Sequence, residues 1–315
     1  AAGGLRPEMD GSQDHDLVLR ASELARQIVH IPEVLYHWRQ NRQSFSHVQL
    51  EKCVGAGVRA VQEQLRRLGL PGQAVMEELH IRILPPADQA PTVSLIVSGV
   101  PVRGWEKKLR ATAGIPILEI TPDHGNRSAA AAKARGQVLV FADGGCLPQE
   151  KGWLRELCLY ALRNNVGCVG GPVMDRMSCY ESVGYAFGAD SAILPCYEGG
   201  HYYGWTYRFG DRRVHNVSAI PGELLAIRRE LLDQLGGYPQ AEGMAAPALL
   251  GAKCLAAGLV NVCSPYARSV RKSGAKPAVQ HLPPGTSARE HYRSSRFQQR
   301  TGAMLLDLPE ARNGQ

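Results

Sequence analysis

The 315-residue sequence predicts an α/β fold whose main part is a doubly wound, parallel sheet. Two observations predict it. Short apolar runs at residues 93–97, 117–120 and 138–141 alternate with helix-forming stretches, and a strand–helix–strand rhythm places successive strands side by side and parallel. The hydrophobic content, 44%, fills buried cores in a chain of this length.

Taken in order, residues 16–27 form an amphipathic helix with Leu17, Leu19, Ala21, Leu24 and Ala25 on its apolar side. Residues 28–36 are extended and broken by Pro32. Residues 46–68 form a longer helix, with Val54, Val58, Val61, Leu65 and Leu68 on one stripe and Gln62, Glu63, Arg66 and Arg67 opposite; Gly69 and Pro71 end it. A linker with Pro85, Pro86 and Pro91 precedes the strands. Residues 127–135 read as an Ala-rich helix. Residues 153–163 form another, burying Trp153, Leu154, Leu157 and Leu162. The Gly, Tyr and Pro content of residues 164–215 predicts long loops over a sheet edge or a ligand site.

A net charge of +7 favours anionic partners: nucleoside diphosphates, phosphorylated lipid carriers, an anionic membrane face or nucleic acid. Part of the excess lies late, in Arg268, Arg271, Lys272, Lys276, Arg289, Arg293, Arg296 and Arg300, as a solvated basic tail or a contact for membrane surface or lipid phosphate. The eight cysteines show no Cys-x-x-Cys pair and no zinc-finger spacing, which fits a reducing cytoplasm. No apolar run is long enough to span a membrane, and the opening residues lack the features of a signal peptide. A start on Ala-Ala-Gly-Gly without Met suggests a fragment with sequence upstream.

The chain also resembles itself. Gly3-Gly4-Leu5 opens a stretch running through Asp14, Asp16 and Leu17 to Ala25, Ile31, Pro32 and Tyr36. About 233 residues on, Gly236-Gly237-Tyr238 opens another, through Ala246, Ala248 and Leu249 to Ala257, Val262 and Tyr266. That spacing suits duplication of a whole domain.

In Gln13-Asp14-His15-Asp16, two carboxylates stand at a helix start, with Arg20 following. Carboxylates there cap backbone N–H groups and complement the helix dipole; one could also act as general base toward a sugar hydroxyl. This stretch, with its Gly-Gly pair and Ile28-Val29-His30-Ile31-Pro32 leading to Tyr36-His37-Trp38-Arg39, closely resembles the C-terminal half of family 2 glycosyltransferases. The resemblance implies that Asp14 is the base of an inverting transfer, with Asp16 and Arg20 in support. It places His37 near the metal or diphosphate, or as a structural histidine, and Trp38 against a sugar ring or in the core.

Residues from Pro91 to Gly237 resemble a complete domain of the same family, whose fold is the three-layer α/β/α GT-A type. The family implies a UDP- or dTDP-sugar donor, a Mg or Mn ion, and a growing polysaccharide or lipid-linked glycan as acceptor. Nucleic acid is not among these partners. A peripheral contact with the inner face of the membrane is compatible with them. The family's aspartate-rich turn reads Asp143-Gly144-Gly145 here, keeping Asp143 as nucleotide-sugar and metal ligand and losing the aspartate at 145. Asp123 is a remnant of a second acidic turn that could touch a uracil or ribose. The acidic pair after Gly237 is replaced by Ala245, Ala246, Pro247 and Ala248. Glu223 reads as a turn carboxylate or an acceptor-side residue, and Tyr202, Tyr203, Trp205 and Tyr207 as loop packing or a glycan groove.

The expected organisation is therefore an acceptor-side remnant of a first copy (1–45), a helix and linker (46–90), a second, degenerate GT-A copy (91–275) and a basic tail (276–315). The alternative is a catalytically inactive GT-A-like domain that holds glycan or a partner protein.

Overall fold

The computed structural model describes residues 2–29, 35, 49–77, 80–88, 90–188, 190–203, 211–278, 280–286, 288, 292, 297–300 and 303–306. His37, Trp38, Trp205 and Tyr207 lie outside the described residues. The chain divides into two compact units, Ala1–Gln89 and Ala90–Gln315.

In the first unit a 3-10 turn at Pro7–Met9 leads to helix α1 (Gln13–Leu24), helix α2 (Leu50–Arg67) and a hairpin of β1 (Gln73–Glu77) with β2 (His80–Leu84). Helix α1 starts three residues earlier than its apolar period indicates, so both Asp14 and Asp16 fall in its first turn. The buried side of α2 is Ala56, Gly57, Ala60 and Leu65 rather than the valine stripe, and Leu68 is exposed. Small residues win because the packing is close. A Cβ on Gly57 would lie 3.1 Å from Ile81 Cδ1 and 3.5 Å from Ser12 Oγ. The hairpin replaces what reads as linker. Its ladder is supplemented by Gln62, whose Oε1 accepts from the Ala74 amide at 2.9 Å.

The second unit holds β3 (Val93–Ser98), α3 (Trp105–Thr112), β4 (Glu119–Pro122), α4 (Arg127–Lys133), β5 (Val138–Asp143), β6 (Cys146–Pro148) and α5 (Trp153–Ala161). Then come β7 (Val166–Gly170), β8 (Val173–Met174), β9 (Tyr180–Ser182), β10 (Tyr185–Phe187), β11 (Ile193–Pro195) and β12 (His215–Val217). The unit continues with β13 (Leu224–Arg228), α6 (Arg229–Gln234), α7 (Ala245–Ala256), β14 (Val260–Cys263), β15 (Ser269–Arg271), and a hairpin of β16 (Phe297–Arg300) with β17 (Ala303–Leu306). Several short strands thus occupy the stretch expected to be loops.

Seven strands form the central sheet in the order β12-β14-β7-β13-β5-β3-β4. β3 is parallel to β4 and β5, and β14 to β7, but β13 runs antiparallel between β5 and β7. The sheet is mixed, which corrects the all-parallel expectation. β13 forms from Leu-Leu-Ala-Ile, an apolar run whose burial on both faces local periodicity does not distinguish from a parallel strand. Ile96, Leu139, Phe141, Leu225 and Ile227 share one buried cluster with residues of α4, α6 and α7. Since successive strand residues point to opposite faces, fully buried Val138, Val140 and Ala226 face the other layer, where α5 packs on β7 and β13. The result is a three-layer α/β/α unit. A smaller four-stranded sheet, β6-β15-β8-β9, adjoins it in sequence and carries the chain past Arg271.

Candidate active site

The two parallel strands β3 and β5 end level, with Ser98 paired opposite Asp143. Parallel sheets bind ligands at the carboxyl ends of their strands, where loops diverge. Here the loop after β4 turns sharply: His124 and Gly125 adopt φ of 47° and 80°, and the Asp123 carboxylate accepts the Gly125 amide at 3.0 Å. Asn126 then caps α4, accepting from the Ala129 amide at 2.9 Å. This cap presents Arg127 at the first helical position.

Arg127 is the organiser of this end of the sheet. Its guanidinium donates to Ser98 Oγ at 2.5 Å and to the Tyr238 hydroxyl at 2.9 Å, and stands 3.6 Å from Asp123. Its carbon lies 5.4 Å from the Tyr238 ring centroid, and that ring packs on Phe141 at 4.3 Å. Burial opposes the Arg127 charge, but Tyr238, Glu223 and Asp123 more than offset it and raise its pKa. A cleft of about 430 Å³ opens beside it, lined by Asp123, Asn126, Ser128, Tyr238, Glu242 and Ala246 among others. A second hollow of about 170 Å³ shares Arg127 and Gly243 with the first and is lined by Asp143, Tyr185 and Glu223. Asp123 and Asp143, both expected as nucleotide-sugar ligands, therefore line adjoining hollows.

Glu223 stands in a turn, as one of its two readings has it, but it does not face solvent. It is buried just before β13, and its Oε1 accepts from Arg271 Nη2 at 2.7 Å. Arg271, which reads as part of a basic tail, ends β15 inside the fold with its side chain 7% exposed. Its Nε donates to Glu181 at 2.8 Å, and its Nη1 faces Asp143 Oδ2 at 3.8 Å. Burial weakens this cation's hold on its proton, and Glu223 and Glu181 reverse that, so its pKa is raised. Arg268 is likewise engaged, by Glu150 and by the Tyr202 ring 4.2 Å away. The polar surroundings of Arg271 in the sequence, Ser269-Val270-Arg271-Lys272-Ser273, give no signal of burial, and its carboxylate partners lie 48 to 128 positions away.

The divalent cation implied by the family does not fit this turn. Asp143 Oδ1 already accepts the Gly145 amide at 2.6 Å. A Cβ on Gly145 would stand 2.4 Å from the Ser273 carbonyl oxygen and 3.0 Å from Asp143 Oδ1, so the family's second aspartate has no room. Among the described residues, no group of three His, Cys, Asp or Glu side chains is placed to hold a metal ion.

In the first unit, the expected base Asp14 is exposed, and its Oδ1 accepts the His15 amide at 2.8 Å. Asp16 is fully buried and accepts from Arg6 Nε at 3.0 Å and Arg20 Nη2 at 2.7 Å. Asp16 and Arg20 thus build the helix start and do not line an open surface together with Asp14. The repeat seen in the sequence recurs in the backbone. Gly3 and Gly4 have φ of 86° and 73°, Gly236 and Gly237 of 83° and 82°. Gly11 and Gly243, also left-handed, precede the two 12-residue helices α1 and α7. Asp14 then corresponds to Ala246, which lines the large cleft, and Asp16 to fully buried Ala248.

No family model matches the chain. It is 26% identical over 329 residues to an O-antigen biosynthesis protein, RfbC, of Myxococcus xanthus, covering 89% of this chain and 25% of that protein. It is 27% identical over 337 residues to the uncharacterized protein y4gI of Sinorhizobium fredii, covering 89% and 36%. The chain thus spans about a quarter to a third of the length of these relatives. Among solved structures it overlaps loosely with GalNAc-T7 bound to UDP, GalNAc and Mn2+, at TM-score 0.41, 17% identity, 58% of this chain and 44% of that one. It overlaps as loosely with the mannosyltransferase PcManGT of Pyrobaculum calidifontis in complex with GDP-Man and Mn2+, at TM-score 0.38, 16% identity, 76% and 69%. The sequence motifs resemble those of family 2 glycosyltransferases, and a relative named for O-antigen biosynthesis is consistent with that resemblance.

Proposed function

We propose that this chain is part of a glycosyltransferase that moves a sugar from a nucleotide-sugar donor to a cell-surface polysaccharide or lipid-linked glycan, with inversion at the anomeric carbon. The observation that supports this reading is the pair of adjoining hollows at the carboxyl ends of the parallel strands, with Asp123 lining the larger, Asp143 the smaller and Arg127 both. A carboxylate at Asp123 accepts hydrogen from a ribose hydroxyl or a base N–H. The Arg127 cation draws a diphosphate. An acceptor carried on lipid brings the protein to the inner face of the membrane as a peripheral visitor; no helix among the described residues is long and apolar enough to cross one.

The displacement itself belongs to the copy that carries Asp14, with residues 1–45 as its acceptor-side end. The acceptor hydroxyl gives its proton to the Asp14 carboxylate while its oxygen attacks the anomeric carbon. The nucleoside diphosphate departs from the opposite face with the bonding pair. In the second copy, at 91–275, Ala246 offers no proton acceptor on the cleft wall. That substitution favours, for this copy, a second reading: a domain that holds nucleotide or glycan without turning it over.

Calorimetric titration with UDP, dTDP and GDP, repeated on Asp123→Ala, tests the cleft. Nucleotide binding weakened roughly tenfold by the variant is expected for a lost charged hydrogen bond. Binding of glycan but of no nucleotide would leave only the second reading standing.

A further inference from the structure

The turn after β5 departs from the family it resembles where chemistry matters most, and the structure fills the gap in two ways. The first is charge. Asp143, Glu181 and Glu223 come from the end of β5, from β9 and from the segment before β13, and all three turn toward one guanidinium. Each of the three nitrogens of Arg271 faces a different carboxylate, at 3.8, 2.8 and 2.7 Å. The side chains of Arg271, Glu181 and Glu223 are 7%, 11% and 8% exposed, so this part of the cluster has little water to screen it, while Asp143, at 33%, stands at its open edge. Without a cation, the buried carboxylates Glu181 and Glu223 would repel each other and the half-buried Asp143, and would pay their desolvation uncompensated.

The second is space. Segment 271–273 closes on the Asp143-Gly144-Gly145 turn through its backbone: the amides of Lys272 and Ser273 both donate to the Gly145 carbonyl, at 2.7 and 3.1 Å. The Ser273 carbonyl then occupies the point toward which a side chain at 145 would grow. Charge and space come from the same three residues, 271–273, so both departures have one structural source.

We infer that in this unit an internal cation, Arg271, stands in the electrostatic place of a divalent metal, and that the cleft takes its ligand without one. The single positive charge of Arg271 offsets part of the negative charge that would otherwise recruit Mg or Mn. What ligand enters rests on the nucleotide-sugar reading above; the exchange of metal for guanidinium does not.

Two measurements test it. In the first, Mn2+ is titrated into the protein and the free ion is followed by electron paramagnetic resonance, and nucleotide isotherms are compared with and without EDTA. No stoichiometric uptake of Mn2+ and superimposable isotherms are expected. Mn2+ uptake that disappears in Asp143→Asn, or nucleotide affinity lost in EDTA, would overturn the inference. Absence of any nucleotide isotherm would remove the nucleotide-sugar reading and leave the Mn2+ titration decisive. In the second, Arg271→Met frees the three carboxylates. Mn2+ should then raise the melting temperature of the variant by about 2–4 °C and leave the wild type unchanged. A folded Arg271→Met that does not respond to Mn2+ also overturns it. Should the variant not fold, the wild-type titration still decides.

Discussion

Asp14 and Asp16 stand two residues apart and have opposite fates, because residues at that spacing on a helix face away from each other. Asp14 looks outward, and Asp16 is sealed between two arginines. Arg6 above all holds the Asp16 carboxyl at a pKa of about 2, against the upward push of burial and with help from Arg20. Its folded pKa is depressed, so the stability it contributes is present above its unfolded value near 4 and is lost as pH falls toward about 2. Asp16→Asn should cost about 2–3 kcal/mol at neutral pH and should flatten the acid limb of the stability curve between those values. Urea unfolding across that range checks both; an unaltered acid limb would mean that Asp16 is not the group responsible. A pair of acidic residues at a helix start was legible in the sequence. Which one is sealed was not, because Arg6 and Glu63 reach the site from other turns of the chain.

The turn at 143–145 and segment 271–273 act as one element, although β15 pairs with β6 and β8 rather than with β5. Gly145 has an ordinary φ, so a substitution there is opposed by space and not by backbone strain. Gly145→Ala should therefore destabilise the protein by about 1–3 kcal/mol, as overpacking against a fixed carbonyl does. Thermal unfolding of that variant measures it, and no change would show that segment 271–273 yields readily. The left-handed glycine pairs at 3–4 and 236–237 are a feature that the sequence did disclose, since only glycine adopts two such residues in succession without strain. The hairpin at 73–84 went unread. Its strands are short and only half-buried, and the prolines that follow dominate the local signal.

For the molecule as a whole, the proposed function gives proton abstraction to the copy with Asp14 and none to the copy with Ala246. Asp14→Asn should reduce sugar transfer by about 10²–10⁴-fold without shifting the melting temperature. An Ala246→Asp change alone should restore no activity to the second copy, because Gly145 and Arg271 remain. Transfer assays with radiolabelled donor sugars measure both; full activity in Asp14→Asn would place the base elsewhere.

The α/β class, the strands at 93–98 and 138–143 and the matching glycine pairs at 3–4 and 236–237 could all be read from residue types and spacing. They are local properties, or comparisons of one stretch with another. The antiparallel course of β13 and the burial of Glu223 and Arg271 could not. Strand direction depends on where the chain returns to the sheet, and an ion pair between residues 48 positions apart exists only once two elements meet. A basic residue late in the chain carries the same letters whether it ends in solvent or closes a carboxylate cluster, and only packing distinguishes the two.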